Sequence, residues 1–228
     1  MIVYKNKMKV IAKKILKSFG LIKKPKWFPQ ESLSKRSYEN YEEYVRHQAS
    51  KLRLLDLTEY DKNYKAALIE RYRGLTSEFK GANMLCLGAR TGSECEAFIS
   101  LGAFAIGVDL NPGEQNKYVV NGDFHDLQFA NSSVDYVFTN ALDHSFDLAK
   151  VLAEVHRVLK DEGTFYAEIV NGSADQDGIN PGEFESLWWN RVSDLAMKIE
   201  EFGFVAAYQN PFAFPWNGTQ IAFKKSSN

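Results

Sequence analysis

Two cysteines in 228 residues exclude a disulfide framework, and Cys86 and Cys95 lack the CxxC or metal-ligand spacing that would mark a zinc site. They read as small buried apolar side chains in a reducing compartment, and no metal is expected. No run approaches the roughly 18 uncharged apolar residues that a membrane-spanning helix needs. The first residues also lack a signal-peptide core with a small-residue cleavage site. The expected location is therefore cytoplasmic. A net charge of −1 on its face points to neither a nucleic-acid binder nor an acidic tail.

What is present is ordinary for a globular domain: 45% hydrophobic and 25% charged residues, enough for one main core with room for an extension. The small net charge hides a division. Residues 1–80 carry 19 Lys+Arg against 9 Asp+Glu, whereas residues 81–228 carry 9 against 20, and nine lysines precede the first acid, Glu31. A basic arm of this kind either packs on the acidic part or reaches for lipid headgroups, nucleic acid or a polyanionic glycan. Three segments are expected: a basic helix and linker over 1–30, a helical extension over 31–80, and a ligand-binding domain over 81–228.

In "KMKVIAKKILKSF", residues 7–19, Met8, Ile11, Ala12, Ile15 and Phe19 fall at helical spacing with lysines on the other side, and Gly20 supplies a stop. The apolar stripe of this basic amphipathic helix either docks on the domain or rests on an anionic membrane. "KKPKWFPQ" holds two prolines in eight residues and reads as a linker. Helices are expected over about residues 38–55 and 59–75, the first with Tyr38, Tyr41 and Tyr44 along one face as packing residues.

From residue 83 the pattern alternates. "NMLCLGA", "AFAIGVDLN", "SVDYVFTNAL" and "TFYAEIV" read as apolar strands, separated by the helical "GSECEAFISLG" and "FDLAKVLAEVHRVLK". Strands alternating with helices imply a parallel sheet covered on both faces. A helix over "FESLWWNRVSDLAMKIEEFG" precedes two strands joined by too short a loop for a parallel crossover, so these should pair antiparallel. The fold class is α/β: a Rossmann-like doubly wound sheet, mostly parallel, closed by an antiparallel hairpin and preceded by N-terminal helices.

In such sheets a ligand sits at the carboxyl ends of the strands, where strand order reverses. The first strand ends at Leu87, so Gly88, Ala89, Arg90, Thr91 and Gly92 form a turn into a helix whose free amides face that crevice. Asp109 ends the second strand, 21 residues after Gly88, where a carboxylate can take both hydroxyls of a ribose. This pairing serves dinucleotides and other adenosine cofactors alike. Arg90 stands where a dinucleotide loop has its middle glycine, and a side chain there obstructs the approach to a pyrophosphate. S-adenosylmethionine has no phosphate, and its carboxylate can be held by a guanidinium or by helix N-terminal amides.

The sequence resembles the class I S-adenosylmethionine-dependent methyltransferases, in particular the small-molecule methyltransferase-like group. Four segments carry the resemblance in order: "LCLGARTG", "GVDLNP", "NGDFHDLQFANSSVDYVFTNALDHSFD" and "VLAEVHRVLKDEGTFYAEI". It implies that Gly88 and Gly92 let the methionine part come close, that Asp109 binds the ribose, and that Leu110 lies against the adenine. It further implies that Asp123 accepts from the adenine amino group, that the Phe124 amide meets a ring nitrogen, and that Asn140 lines the pocket near the sulfonium. Asp123 also reads as an ordinary turn residue after Asn-Gly. Cys86 replaces the family's usual acid and Arg90 its glycine; Glu94 is the candidate substitute, or simply a favourable acid in a first helical turn.

Methyl transfer is an in-line displacement in which the protein supplies positioning and a nucleophile in the right protonation state. His144 and Asp143, just beyond the strand "SVDYVFTNAL", are the candidate bases, with His125 and His47 behind them. The acceptor is expected between the N-terminal helices, the loop "NGSADQDGINPGEFESLWW" and the hairpin tip "FAFPWNG", where Trp188 and Trp189 either flank a sugar or planar ring or pack in the core. The expected activity is methylation of a small-molecule or glycan-like acceptor. Three alternatives stand beside it: a non-catalytic S-adenosylmethionine-binding module, an RNA methyltransferase using the basic arm, and a nicotinamide-dependent oxidoreductase, which conflicts with Arg90 and the hairpin.

Overall fold

A computed structural model of the chain describes residues 25–51 and 56–226. The expected helix over 7–19 and the end of the expected helix over 38–55 lie outside the described residues. In chain order the strands are β1 (Trp27–Gln30), β2 (Leu33–Arg36), β3 (Asn83–Leu87), β4 (Phe104–Asp109), β5 (Val119–Asn121), β6 (Val134–Thr139), β7 (Leu159–Val170), β8 (Leu187–Trp189), β9 (Phe204–Phe212) and β10 (Gly218–Lys225). The helices are α1 (Tyr41–Ala49), α2 (Thr58–Tyr72), α3 (Thr76–Phe79), α4 (Ser93–Ser100), α5 (Leu148–Val158) and α6 (Val192–Glu200). Among the described residues no helix is long and apolar enough to cross a membrane.

Seven strands form the main sheet in the order β5-β4-β3-β6-β7-β10-β9. The first five pair in parallel, whereas β10 lies antiparallel to both β7 and β9. The class I methyltransferase fold and its terminal hairpin are therefore as expected. One face of the sheet is covered by α5 and α6 through Val151, Leu152, Val155, Leu195 and Ile199. The other carries α2 and α4 through Tyr64, Leu68, Tyr72 and Phe98. Strand order reverses between β3 and β6, and this switch point opens the crevice in which a ligand sits.

Three local expectations are corrected. The stretch read as a linker contains β1, which pairs antiparallel with β2; Pro29 falls on an edge strand, where proline is tolerated. The two tryptophans read as the start of a helix instead form β8, which pairs with β2, and the helix begins only at Val192. Leu159 does not extend α5: its backbone turns extended, and it pairs with Val134 to open the twelve-residue β7. In each case pairing with a distant strand overrides the local signal.

The extension before β3 forms a roof over the switch point. Asn40 caps α1 by accepting from the Glu43 amide at 2.9 Å. The Gln48 amide donates to the Phe184 carbonyl at 2.7 Å, the Arg36 guanidinium donates to the Gly182 carbonyl at 3.0 Å, and the Tyr38 hydroxyl meets Ser186 Oγ at 2.7 Å. The roof thus joins residues 27–51 to the segment 182–189.

Candidate active site

The glycine turn is shaped by close contacts. Gly88 has φ +69°, and a Cβ there would stand 2.5 Å from Ala141 Cβ, so only glycine fits between the ends of β3 and β6. Gly92 (φ 93°) leads into α4, and Arg90 itself takes φ 43°. This twist lets the Arg90 amide donate to Asp109 Oδ2 at 3.0 Å while the Asn111 amide donates to Oδ1 at 2.8 Å. The strand-end carboxylate is thereby fixed by the loop and keeps lone pairs for a ligand.

The Arg90 side chain turns toward α2. Its Nη2 lies 3.4 Å from Asp61 Oδ1, and its guanidinium stands 5.4 Å from the Tyr60 ring centroid. Thr91 Oγ1 donates to the second Asp61 oxygen at 2.6 Å. Glu94 is buried next to this cluster; one oxygen accepts from Ser93 Oγ, and Oε1 has no partner. Burial pushes its carboxyl up to about 7, against the pull of Arg90.

Asp123 serves the roof. One oxygen takes the Tyr41 hydroxyl of α1, and the other meets the His125 amide at 2.9 Å and His125 Nδ1 at 2.7 Å. His125 Nε2 accepts from the amides of Phe146 and Asp147, so Nδ1 carries the proton that faces Asp123. Hydrogen bonds from His125 and Tyr41 outweigh burial and hold the Asp123 carboxyl below the usual range.

A cavity of about 360 Å³ occupies the switch point. Gly88, Arg90, Asp109, Leu110, Phe124 and Asn140 line one part of it, and Asp143 and His144 line it as well. Ala89 and Gly92 shape the turn from behind: Ala89 is buried against the α4 side of the sheet. Sequence reasoning missed Tyr44, Gln48, Lys51, Glu168, Glu185 and Trp216, which also face the cavity. Tyr44 had a signal in the tyrosine stripe on α1, and Glu185 and Trp216 lie in two segments expected to border the acceptor, "NGSADQDGINPGEFESLWW" and "FAFPWNG".

Beneath the roof, His144 Nδ1 meets the Phe184 carbonyl at 3.1 Å, and Nε2 meets Lys51 Nζ at 2.9 Å. A carbonyl only accepts, so Nδ1 bears the proton and Nε2 accepts from the lysine. Burial and the lysine charge push the His144 imidazole well below its usual value, and burial also lowers Lys51. Burial, then the charge of Glu185, raises the Asp143 carboxyl to about 7. Asp143 Oδ1, Glu185 Oε2 and Trp188 Nε1 are shielded from solvent without hydrogen-bond partners. Glu168, by contrast, is matched by Arg71 and by the Tyr64 hydroxyl at 2.8 Å.

Residues 85–167 match a family described as "Methyltransferase domain". An uncharacterized protein of Methanocaldococcus jannaschii is 34% identical over 125 residues, which is 49% of this chain and 47% of that protein. The chain thus spans about half the length of this curated relative. Among solved structures, a Burkholderia thailandensis 1,6-didemethyltoxoflavin-N1-methyltransferase with bound 1,6-didemethyltoxoflavin and S-adenosylhomocysteine superposes with TM-score 0.67 at 16% identity, over 90% of this chain and 100% of that one. An S-adenosylmethionine-dependent methyltransferase from Mesorhizobium loti gives TM-score 0.52 at 16% identity, over 70% of this chain and 96% of that one.

Proposed function

We propose that this chain, whose residues 85–167 match the methyltransferase-domain family and whose fold is that of class I methyltransferases, transfers a methyl group from S-adenosylmethionine to a small-molecule acceptor held beneath the roof. The observation that carries this reading is the continuity of one cavity from Gly88 and Asp109 to Asp143 and Trp188. Its volume lies in the range of small-ligand pockets. The Burkholderia enzyme of the same fold holds a small molecule beside S-adenosylhomocysteine, which supports a small acceptor here.

The residues present fit the cofactor. The missing Cβ of Gly88 opens the cradle for the methionine part, the anchored Asp109 offers its remaining lone pairs to the ribose hydroxyls, and Leu110 and Phe124 supply apolar surface for the adenine. When bound, S-adenosylmethionine supplies a methyl group activated by a sulfonium. In this reading Asn140 borders the reacting centre, and Arg90 acts through the loop it shapes, its guanidinium being committed to Asp61 and Tyr60. Asp123 bolts α1 to the floor of the site; both its oxygens are taken by Tyr41 and His125, and it does not itself line the cavity. His144, with Nε2 turned to Lys51, orients the lysine, which leaves Asp143 as the group that takes a proton.

Melting temperatures measured with S-adenosylmethionine, S-adenosylhomocysteine and NAD test the reading, since a ligand selective for the folded state stabilises by mass action. Both sulfur compounds should raise the melting temperature, and Asp109→Ala should weaken their binding at least tenfold. Stabilisation by NAD alone, or undiminished binding by a folded Asp109→Ala protein, would refute it.

A further inference from the structure

We propose that the acceptor is an amine, bound as its ammonium by the carboxylates of Asp143 and Glu185 against the indole of Trp188. This substrate class rests on the methyltransferase reading above.

The charges around the cavity carry the argument. Asp109, Asp143, Glu168 and Glu185 line it against Lys51 and Arg90. Arg71 neutralises Glu168, and Asp61 lies in ion-pair range of Arg90. Among the described residues Asp109, Asp143 and Glu185 are then opposed by Lys51 alone, an excess of two negative charges once all three carboxyls are ionised. S-adenosylmethionine brings one net positive charge. One negative charge is left for the acceptor to balance, and a monocation does so.

Hydrogen bonding points to the same place. Asp143 and Glu185 each hold an oxygen that is out of solvent and without a partner, a costly arrangement for a carboxylate. Among the described residues neither forms an ion pair with Lys51 within 4.0 Å; the lysine is held instead by His144 at 2.9 Å. Trp188 is only 4% exposed, faces the same cavity, and its Nε1–H finds no acceptor. Its ring stacks on Trp189 at 5.4 Å and 9°, which fixes the indole as a rigid wall. Aromatic faces attract a desolvated cation. An anionic acceptor would meet both carboxylates with a single ammonium to offset them.

The chemistry agrees with the recognition. An ammonium has no lone pair and must lose a proton before its nitrogen can attack carbon. Asp143 receives that proton on a carboxylate whose surroundings hold Glu185, Lys51 and Arg90 as the charged neighbours and His144 as a neutral one. The ammonium thereby becomes a neutral amine and the carboxylate a carboxylic acid.

The test uses full-length protein saturated with S-adenosylhomocysteine and a matched panel in which each of several ring systems carries either an aminoethyl or a carboxyethyl arm. Binding of S-adenosylhomocysteine is measured first; its absence would defeat the methyltransferase reading itself. Given that binding, thermal stabilisation should be confined to the amines. Glu185→Gln should cut amine affinity at least tenfold and keep S-adenosylhomocysteine affinity within twofold, which also certifies the fold. Stabilisation by the carboxylates, by both series alike, or by no amine overturns the proposal while leaving the cofactor reading intact.

Discussion

Replacing Gly88 by alanine should separate two costs that the glycine avoids. The first is backbone strain: at φ +69° an L-residue sits in the left-handed region, at about 1–2 kcal/mol. The second is steric. The new Cβ would stand 2.5 Å from Ala141 Cβ, and neither a backbone-attached methyl nor a short loop can yield by bond rotation. Forcing extra volume into a packed site costs about 1–3 kcal/mol. Gly81 is the internal control, with φ +78° and nothing within 4 Å of the equivalent Cβ. Gly81→Ala should therefore lose about 1–2 kcal/mol, and Gly88→Ala about 2–5 kcal/mol. Urea unfolding measures both. Calorimetric titration with S-adenosylhomocysteine then asks whether parting β3 from β6 spoils the cradle: Gly88→Ala should weaken binding at least tenfold, and Gly81→Ala should not change it. Equal stability losses, or wild-type affinity in Gly88→Ala, would refute the steric reasoning.

Two further predictions concern buried charge. The folded pKa of Glu94 is raised from an ordinary 4.5 to about 7, so its contribution is fully present below pH 4.5 and is lost as pH rises through 7. Glu94→Gln should remove about 3 kcal/mol of that decline; urea unfolding across this range tests it, and an unchanged slope would contradict the burial argument. Asp143, raised in the same sense, should keep part of the slope. Arg71→Met strands the Glu168 carboxylate, whose side chain is wholly buried, and should destabilise by about 3–5 kcal/mol at neutral pH. Burial already raises Glu168, so protonation should shrink this deficit as pH falls, and adding Glu168→Gln should recover most of it. A deficit independent of pH would show that lost packing, not stranded charge, is responsible.

Most of the main sheet was legible, the three-residue β5 and the start of β7 apart, because its apolar strands are set off by turn residues and because Asp109 ends its strand at the distance a glycine-turn nucleoside site requires. The small sheet was not. β2 meets β8 through Leu33 and Trp189, more than 150 positions apart, and three or four residues carry too little alternation to announce a strand. The segments that border the acceptor side of the cavity were legible, but the individual residues that face it were hidden for the same reason. Lys51 is one lysine among many until α1 is laid over β6, and Glu185 reads as a loop acid until β8 joins the roof. Arg90 stands out in the sequence as the unusual residue of the loop. Its partner Asp61 lies on α2, which no local pattern ties to the glycine turn.

The order of strands at the antiparallel end of the main sheet bears on how the chain assembles during synthesis. β9 leaves the ribosome before β10, yet among the described residues β10 is the one strand paired with it and stands between it and β7. Until β10 emerges, β9 lacks the partner it has in the finished sheet, and the edge of β7 that β10 covers stays open. Seven of the nine β9 residues are exposed in the finished fold, among them Gln209, Asn210 and Pro211. A waiting strand with that composition is a poor template for pairing with other nascent chains.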